Sequence, residues 1–313
     1  MEISAVIPVY NSEDSLIELC ERLHTVLLGI SKRSEIILVN DGSKDSSGEI
    51  IDKLSKEFEW VKGIHLMRNY GQHNALLCGI RNAKYELIVT LDDDLQNPPE
   101  EIPRMLDKLN QGYDVVYGAP VKEQRGLFRD LASILTKVTL NIVMGIEIAQ
   151  NVSDFRIFRT QLRNAFTQFN ASFVFIDVLL TWGTNNFSAI KVQHYPRKFG
   201  KSNYSFIRLV NHAINMMTGF SVFPLRIASL LGFGFSLIGL LILIFIIVEF
   251  LAYGSQVKGF PFLASIIAIF SGVQLLTIGF IGEYLARLYF RSMDKPTYTI
   301  RSLTKNQIDE NPI

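Results

Sequence analysis

The chain has 313 residues, of which 48% are apolar and 19% charged, and its formal net charge is +1. This length allows one large domain or two ordinary ones, and the near-neutral charge provides no overall basic field for binding nucleic acid. Cys20 and Cys78 lie far apart without a CxxC or Cys/His spacing, so neither a zinc site nor a disulfide framework is indicated.

The first part of the chain alternates short β-rich runs with apolar residues at helical spacing, as in Leu16, Leu19, Leu23 and Leu27. This alternation predicts an α/β domain with a mostly parallel sheet, covered on both faces. Ligands of such sheets bind beyond the carboxyl ends of the strands, so the residues after each strand are site candidates. The predicted strands are residues 4–9, 35–39, 63–67, 86–91 and 114–117.

The segments that follow the first three predicted strands are rich in polar side chains. In chain order they are Pro8-Val9-Tyr10-Asn11, Asn40-Asp41-Gly42-Ser43 and Arg68-Asn69-Tyr70-Gly71. The first of them has no glycine, so the dinucleotide fingerprint GxGxxG is missing and a Rossmann dehydrogenase is disfavoured. Asp41 has two interpretations, a ligand-binding residue or the cap of the next helix.

The fourth predicted strand ends in an acidic tip, Asp92, Asp93 and Asp94, followed by Leu95-Gln96-Asn97-Pro98-Pro99. Three consecutive carboxylates repel one another unless a cation lies among them. Mg²⁺ or Mn²⁺ typically takes one or two carboxylates together with phosphate oxygens of a substrate. The tip therefore indicates a divalent metal site; the alternative is a solvated acidic turn before a helix that begins at Pro98 or Pro99.

Two later segments have apolar residues at helical spacing opposite a polar stripe. One covers about 126–146, with Leu127, Leu131 and Ile134 on its apolar face, and the other covers 203–225. Either could pack on the catalytic core, but the second leads into an apolar span and both have basic residues. We therefore predict interfacial helices that lie on a bilayer.

Two uncharged runs near the C-terminus, at about 227–250 and 260–283, are each long enough to cross a hydrocarbon core of ~30 Å. They predict a transmembrane hairpin within 226–289, after a catalytic domain at 1–202 and before a tail at 290–313. Lys and Arg flank the hairpin on both outer sides, which indicates an inner-membrane, multi-pass protein whose catalytic domain and C-terminus are cytoplasmic. Glycines in both spans allow close helix packing and agree with a homo-oligomer.

The strand-end motifs, taken in order, resemble the inverting glycosyltransferases of family 2 with the GT-A fold. Within that family the chain is similar to the polyprenyl-phosphate glycosyltransferases, such as the bactoprenol glucosyltransferases and dolichol-phosphate mannose synthases. The resemblance covers nearly the whole chain, because the runs Ser153-Asp154-Phe155-Arg156 and Arg197-Lys198-Phe199-Gly200-Lys201-Ser202 also match. Asp154 stands where the mannose synthases usually have Gly, and Asp93 where they commonly have Ala, which favours the bacterial glucosyl branch.

The resemblance implies a role for each strand-end residue. Asp92, Asp94 and Asp154 are the expected catalytic residues, with Asp154 orienting the acceptor or acting as a base. Asp94 and Gln96 are the expected ligands of Mg²⁺ or Mn²⁺, which acts as a Lewis acid on the leaving diphosphate. The nucleotide-sugar is expected to contact Pro8, Tyr10, Asn11, Asp41, Arg68, Asp92 and Asp93.

The acceptor of such an enzyme is a lipid phosphate that is already ionised near neutral pH, so positioning and cations matter more than a strong base. Arg197 and Lys201, just before the membrane-proximal segment, are the first candidates for holding it. Arg125, Arg129 and Arg156 are further candidates. For each of them the alternative is a solvated cation or one that binds lipid headgroups.

The function implied is transfer of a hexose, glucose from UDP-glucose, to undecaprenyl phosphate. A mannosyl or other sugar donor with a dolichyl or polyprenyl phosphate acceptor is the nearest alternative. A processive polysaccharide synthase is disfavoured, because the Gln-x-x-Arg-Trp element of such enzymes does not occur around Trp60 or Trp182. A catalytically dead membrane scaffold or a lipid flippase is the alternative from another class, and the intact acidic tip argues against it.

Overall fold

A computed structural model of the protein describes residues 1–121, 151–171, 173–196, 214–253 and 259–304, together with positions 140 and 144. The described residues form two compact units. A sheet unit comprises residues 1–213 and 294–313, and a hairpin unit comprises residues 214–293. The predicted helix at about 126–146 and the first part of the segment 203–225 lie outside the described residues, apart from positions 140 and 144.

The sheet unit alternates strands and helices over its first 120 residues, as predicted. In chain order the elements are β1 (Glu2–Val9), α1 (Leu16–Ile30), β2 (Arg33–Asn40), α2 (Ser47–Glu57), β3 (Val61–Leu66), α3 (Gln72–Asn82), β4 (Leu87–Thr90), α4 (Ile102–Leu109) and β5 (Val115–Pro120). Then follow β6 (Arg156–Arg159), α5 (Ile176–Thr181) and β7 (Phe187–Val192). All five predicted strands are confirmed, with ends shifted by a few residues.

The sheet has the strand order β7-β5-β6-β4-β1-β2-β3-β8, where β8 is Ile300–Leu303. The central strands β4, β1, β2 and β3 are parallel, so their carboxyl ends meet at one edge. β6 is antiparallel to both β4 and β5, and it therefore begins at that same edge. This reversal brings the residues just before β6 beside the end of β4.

The core lies between the sheet and its helices. The predicted apolar face of α1 is confirmed, since Leu16, Leu19, Leu23 and Leu27 are fully buried. Burying such a side chain contributes about 1.5–3 kcal/mol, so α1 is held mainly by this stripe. Both cysteines are buried and free, in agreement with the prediction that they do not form a disulfide framework.

Residues 294–304, which we call the return segment, follow the hairpin and belong to the sheet unit. Their strand β8 pairs antiparallel with β3, with Ile64 opposite Leu303 and His65 opposite Ser302. Gly63 permits this approach, because a Cβ there would lie 2.6 Å from the Thr304 methyl group. Part of the segment predicted as a tail is therefore an edge strand of the eight-stranded sheet.

The hairpin unit contains α6 (Phe223–Tyr253) and α7 (Phe260–Ser292). The two helices contact one another where the Phe235 and Phe270 rings meet edge to face at 6.0 Å and where Gly239 faces Phe270. Two stretches are long and apolar enough to cross a membrane, Phe223–Glu249 with mean hydropathy 2.9 and Ile269–Tyr289 with 1.4. Neither stretch is buried by protein, so the apolar surface of both is left for another apolar medium.

Candidate active site

A cavity of about 240 Å³ opens at the edge where β1, β2 and β4 end. Five aspartates line it and none of its described lining residues is Lys, Arg or His, so the cavity is strongly negative. The lining residues are Pro8, Val9, Tyr10, Asp41, Asn69, Gly71, Gln72, Asp92, Asp93, Asp94 and Asp154. Seven of them are residues for which the sequence predicted a role.

Asp93 is used to hold the loop that follows β1. Its carboxylate accepts hydrogen bonds from the Tyr10 amide, at 3.1 Å, and from the Ser12 hydroxyl, while its carbonyl oxygen accepts one from the Ser15 hydroxyl at 2.6 Å. Burial raises the pKa of Asp93, and the bonds from Ser12 and Tyr10 oppose that rise. Asp93 therefore lines the cavity and also keeps Tyr10 at its rim.

Asn11 joins the loops after β1 and β2. Its backbone is left-handed, with φ of 54°, a conformation that asparagine tolerates better than most residues. Its amide donates to the Ser43 hydroxyl at 3.1 Å, and its side-chain oxygen accepts from the Lys44 amide at 2.7 Å. Asn11 does not line the cavity, so its contribution in this structure is to fix the two loops against each other.

Asp41, at the end of β2, is buried and fixes the loop after β3. Its two carboxylate oxygens accept the amides of Tyr70, at 2.7 Å, and Gly71, at 2.8 Å. Burial raises the pKa of Asp41, and these two bonds lower it in part. Gly42 lets the loops touch, because a Cβ there would lie 2.7 Å from the backbone of Arg68 and Asn69. We call residues 67–72 the donor loop, because Arg68 in it is a predicted contact of the nucleotide-sugar donor.

The Asp92 carboxylate accepts fewer hydrogen bonds than those of Asp41 and Asp93. Asp92 accepts one hydrogen bond from the Gln72 amide group at 2.7 Å. Its pKa is raised well above its usual range by burial and then by the neighbouring carboxylates of Asp154, Asp94 and Asp93. A cation among these groups would remove that cost, so the side chains present suit a bound divalent metal.

The residue after the acidic tip turns the chain sharply. Leu95 has φ of 60°, and the Gln96 amide donates to Asp94 at 3.1 Å. The Gln96 side-chain nitrogen donates to the Tyr195 carbonyl at 3.3 Å. Among the described residues, no group of three His, Cys, Asp or Glu side chains is arranged to bind a metal ion by itself. Metal binding here would thus depend on oxygens that the substrate supplies.

Asp154 faces the cavity from the start of β6 and is held from behind by a buried charge network. Arg156 is completely buried and donates to Asp154 at 3.0 Å, to the Thr90 hydroxyl at 3.0 Å and to Asp177. The Tyr117 hydroxyl also donates to Asp177, at 3.0 Å. Burial raises the pKa of Tyr117 well above its usual range, and the Asp177 carboxylate adds to this.

This burial corrects one prediction. Arg156 was a candidate for the acceptor phosphate, but its guanidinium is enclosed and already paired with two carboxylates. A buried arginine bound in this way cannot reach a lipid phosphate without breaking the network. Its observed contacts make it a residue that positions Asp154.

The other predicted residues fall into two groups. Arg68 is exposed beside the cavity and lies over the Tyr70 ring, with 4.6 Å from its guanidinium carbon to the ring centre. The four remaining acceptor candidates, Arg125, Arg129, Arg197 and Lys201, lie outside the described residues. Their roles stay predictions.

The prediction missed Gln72, Ser12, Tyr117 and Asp177. Gln72 directly follows the third strand-end segment, so inspecting one more residue after that strand would have found it. Ser12 likewise follows the first segment. Tyr117 and Asp177 gave no sequence signal, because only the fold brings them to Arg156 from positions 39 and 21 residues away.

Comparison with known proteins agrees with this geometry. The family model described as glycosyl transferase family 2 matches residues 4–174. The chain is 37% identical over 306 residues to the undecaprenyl-phosphate 4-deoxy-4-formamido-L-arabinose transferase of Pseudomonas aeruginosa (strain LESB58), covering 97% of this chain and 90% of that protein. The transferase of the same name from Salmonella choleraesuis (strain SC-B67) is also 37% identical, over 96% of this chain and 93% of the relative.

The chain therefore belongs to glycosyl transferase family 2, and relatives that match nearly its whole length are named as transferases that use undecaprenyl phosphate. Among solved structures it resembles glucosyl-3-phosphoglycerate synthase from Mycobacterium tuberculosis in complex with Mn²⁺, UDP-glucose and phosphoglyceric acid. The TM-score is 0.50 at 16% identity, over 69% of this chain and 77% of the other. That likeness supports the fold alone, and it agrees with the GT-A architecture that the motifs implied.

Proposed function

We propose that this protein transfers a single sugar from a UDP-sugar to undecaprenyl phosphate at a membrane surface. The observation that carries the proposal is the cavity with five aspartates at the carboxyl edge of a family 2 sheet. A nucleoside diphosphate can enter so negative a cavity only together with a cation. A dead scaffold or a flippase has no use for such a site.

The proposed metal is Mg²⁺ or Mn²⁺, held by Asp94 with Asp92 nearby and with Gln96 as the further predicted ligand. When bound, it would supply positive charge to the departing diphosphate. The synthase with the similar fold was crystallised with Mn²⁺ and UDP-glucose, and the proposed metal and nucleotide class follow that example.

The proposed reaction is an in-line displacement that inverts the anomeric carbon. An oxygen of the lipid phosphate forms a bond to that carbon while the bond to the nucleoside diphosphate oxygen breaks, and the diphosphate leaves with the electron pair. Both the nucleophile and the leaving group are anions, so no proton has to move. The protein's task is to hold two anions in line, which tight positioning can achieve.

Asp154 is proposed to orient the acceptor rather than to act as a strong base. Its carboxylate is paired with Arg156 at 3.0 Å, and its side chain is 40% exposed and lines the cavity. A carboxylate so placed can accept a hydrogen bond from a hydroxyl of the donor sugar, which would fix the anomeric carbon relative to the acceptor phosphate. The acceptor phosphate itself needs cations, and Arg197, Lys201, Arg125 and Arg129 are proposed for that role.

The sugar is proposed from two lines of support. The motif resemblance favours glucose from UDP-glucose, whereas the full-length relatives are named for 4-deoxy-4-formamido-L-arabinose. The second observation extends over 97% of the chain and favours the formamido-arabinose. The decisive experiment incubates purified protein, Mn²⁺ or Mg²⁺ and undecaprenyl phosphate with each radiolabelled UDP-sugar, and then extracts the lipid. Label in the lipid phase from one donor identifies the sugar, and no label from any donor would contradict sugar transfer.

The proposed location is the inner membrane, with α6 and α7 as a hairpin of two spans. The chain enters the hairpin from the sheet unit and re-enters the same unit at residue 294. Both ends of the hairpin must then lie on one side of the membrane, and the flanking cations favour the cytoplasmic side. We also propose, as predicted from the sequence, that the protein forms a homo-oligomer.

Cysteine labelling tests this topology. Cysteines introduced at Ser255, between the helices, and at Asn306, after the return segment, should react from opposite sides of inverted and right-side-out vesicles. Burial raises the pKa of both Cys20 and Cys78 to about 12, so the native thiols should not react with the labelling reagent. Labelling of both positions from one side would rule out the hairpin.

A further inference from the structure

The return segment contacts the donor loop at several points. The Met67 amide donates to the Thr299 carbonyl at 2.9 Å, and the Arg301 guanidinium donates to the Met67 carbonyl at 2.9 Å. Through these bonds the first residue of the loop is held on both its N–H and its C=O. The chain that follows the hairpin therefore fixes the point at which the donor loop leaves β3.

A second set of contacts holds the far end of the loop. The Asn74 side-chain nitrogen donates to both the Tyr70 carbonyl and the Thr297 carbonyl, each at 3.0 Å. Asn74 and Thr297 are buried, so this link is shielded from water. A hydrogen bond from the Thr299 side chain, followed by the nearby Arg68 guanidinium, lowers the pKa of the Tyr70 phenol. The return segment thus holds the loop at Met67 and at Tyr70.

The fastened loop forms one wall of the cavity. Asn69, Gly71 and Gln72 line it, and Gln72 donates to Asp92 at the acidic tip. Gly71 has φ of 99°, a left-handed conformation that glycine adopts readily, and its amide donates to Asp41. An exposed loop with such a backbone depends on outside partners for a single conformation, because ordering each residue costs about 1–2 kcal/mol.

We propose that the return segment positions the donor subsite, with Thr299 and Arg301 holding the donor loop in the conformation that receives the nucleotide-sugar. Donor affinity then depends on residues more than 200 positions downstream of the loop in sequence, beyond the membrane hairpin. The identity of the bound molecule rests on the proposed function, whereas the loop contacts do not. Thr299 and Arg301 touch no reacting atom and act through the loop.

The test uses the full-length protein with Thr299→Val, which removes the side-chain bond to Tyr70 and keeps the carbonyl that accepts from Met67. Arg301→Ala and the double variant complete the set, and Arg301→Lys is the conservative replacement. Ser302→Ala is the matched control, since Ser302 is an exposed neighbour on the same strand. We expect faster hydrogen exchange at the Tyr70 and Gly71 amides in the first two variants. Loss of one net hydrogen bond corresponds to a roughly 2- to 10-fold rise in donor KM. The kcat and acceptor KM should stay at the wild-type values, and Arg301→Lys should recover part of the loss.

Two comparisons keep the test decisive. Unchanged exchange across residues 87–90 of β4 verifies that each variant is folded, and Thr299→Val is close to isosteric. Unchanged loop exchange, or an unchanged donor KM despite a loosened loop, overturns the proposal, as does an equal effect of Ser302→Ala. If wild-type protein transfers no sugar at all, the proposed function fails, yet hydrogen exchange and binding of UDP still report whether the return segment positions the loop.

Discussion

The two walls of the cavity both contain aspartates, but the walls differ in what neutralises them. At the start of β6, Asp154 is paired with a buried arginine that Asp177 holds in place. At the end of β4, Asp92 and Asp94 have hydrogen-bond donors around them and no cation among the described lining residues. The same residue type therefore belongs to a buried ion-pair network on one wall and to a cluster of neighbouring carboxylates on the other.

Because their partners differ, the aspartates of the two walls should contribute differently to stability and to ligand binding. A charge pair that is fully buried costs much free energy to break, because the remaining charge has no water around it. A strand-end carboxylate at the cavity surface supports little packing, and repulsion among neighbours makes it locally unfavourable. Changes on the acidic wall should therefore reduce activity, and changes in the charge network should reduce stability.

The largest effect is expected at Asp94. Asp94→Asn keeps the size of the side chain and removes the charge that we propose binds the metal, so transfer should fall at least about 100-fold. The thermal midpoint should stay at the wild-type value or rise slightly, because one repulsive carboxylate is gone. Radiolabel transfer at saturating Mn²⁺ and thermal unfolding measure the two effects.

Asp107→Asn provides the control for that experiment, since Asp107 is an exposed aspartate on α4 away from the cavity. It should leave both activity and unfolding unchanged. Full activity of Asp94→Asn at saturating metal would remove Asp94 from the proposed metal site and would erase the distinction between the walls.

The second effect concerns the charge network. Asp177→Asn leaves Arg156 buried with one charged partner fewer, and breaking a buried pair costs roughly 3–5 kcal/mol. The free energy of unfolding, measured by urea denaturation in detergent, should fall by that amount. Glu100→Gln is the matched control, because the Arg22–Glu100 pair is surface-exposed and should contribute less than about 1 kcal/mol.

A different outcome would also be informative. If Asp177→Asn lost activity with an unchanged free energy of unfolding, the network would serve catalysis rather than the framework. In that case the separation between the two walls would not hold.

The smallest effect is expected at Asp41, whose partners are neutral amides. Because burial raises its pKa above 3.8, ionisation of Asp41 costs the folded state more than the unfolded one. This cost is absent well below pH 3.8, grows as the pH rises towards the pKa of the folded state, and is constant above it. Asp41→Asn should remove this dependence, so the difference in free energy of unfolding from wild type should change as the pH rises above 3.8 and then level off.

The corresponding control is Asp107→Asn, measured over the same pH range. A flat difference for Asp41→Asn would mean that the bonds from the Tyr70 and Gly71 amides compensate the burial of Asp41 completely. Charged and neutral partners of a buried carboxylate would then not differ in their contribution to the free energy of unfolding.

Local sequence was sufficient for much of this structure. The alternating pattern predicted five strands and the buried face of α1, because apolar residues must follow the period of the element that buries them. The strand-end rule located Tyr10, Asp41 and Asp92, since parallel strands bring their carboxyl ends to one edge. The two long apolar runs are also a local property, because a span needs only length and composition.

Tertiary structure decided the rest. Arg156 looked like an exposed cation in sequence, and only the pairing of β4, β5 and β6 enclosed it with Asp177 and Tyr117. The strand β8 is four residues long, too short for a periodic signal, and its place beside β3 depends on partners far away in sequence. Periodicity reports which face of an element is buried, whereas the partner of each charge and each edge is set by contacts between distant residues, which no local pattern encodes.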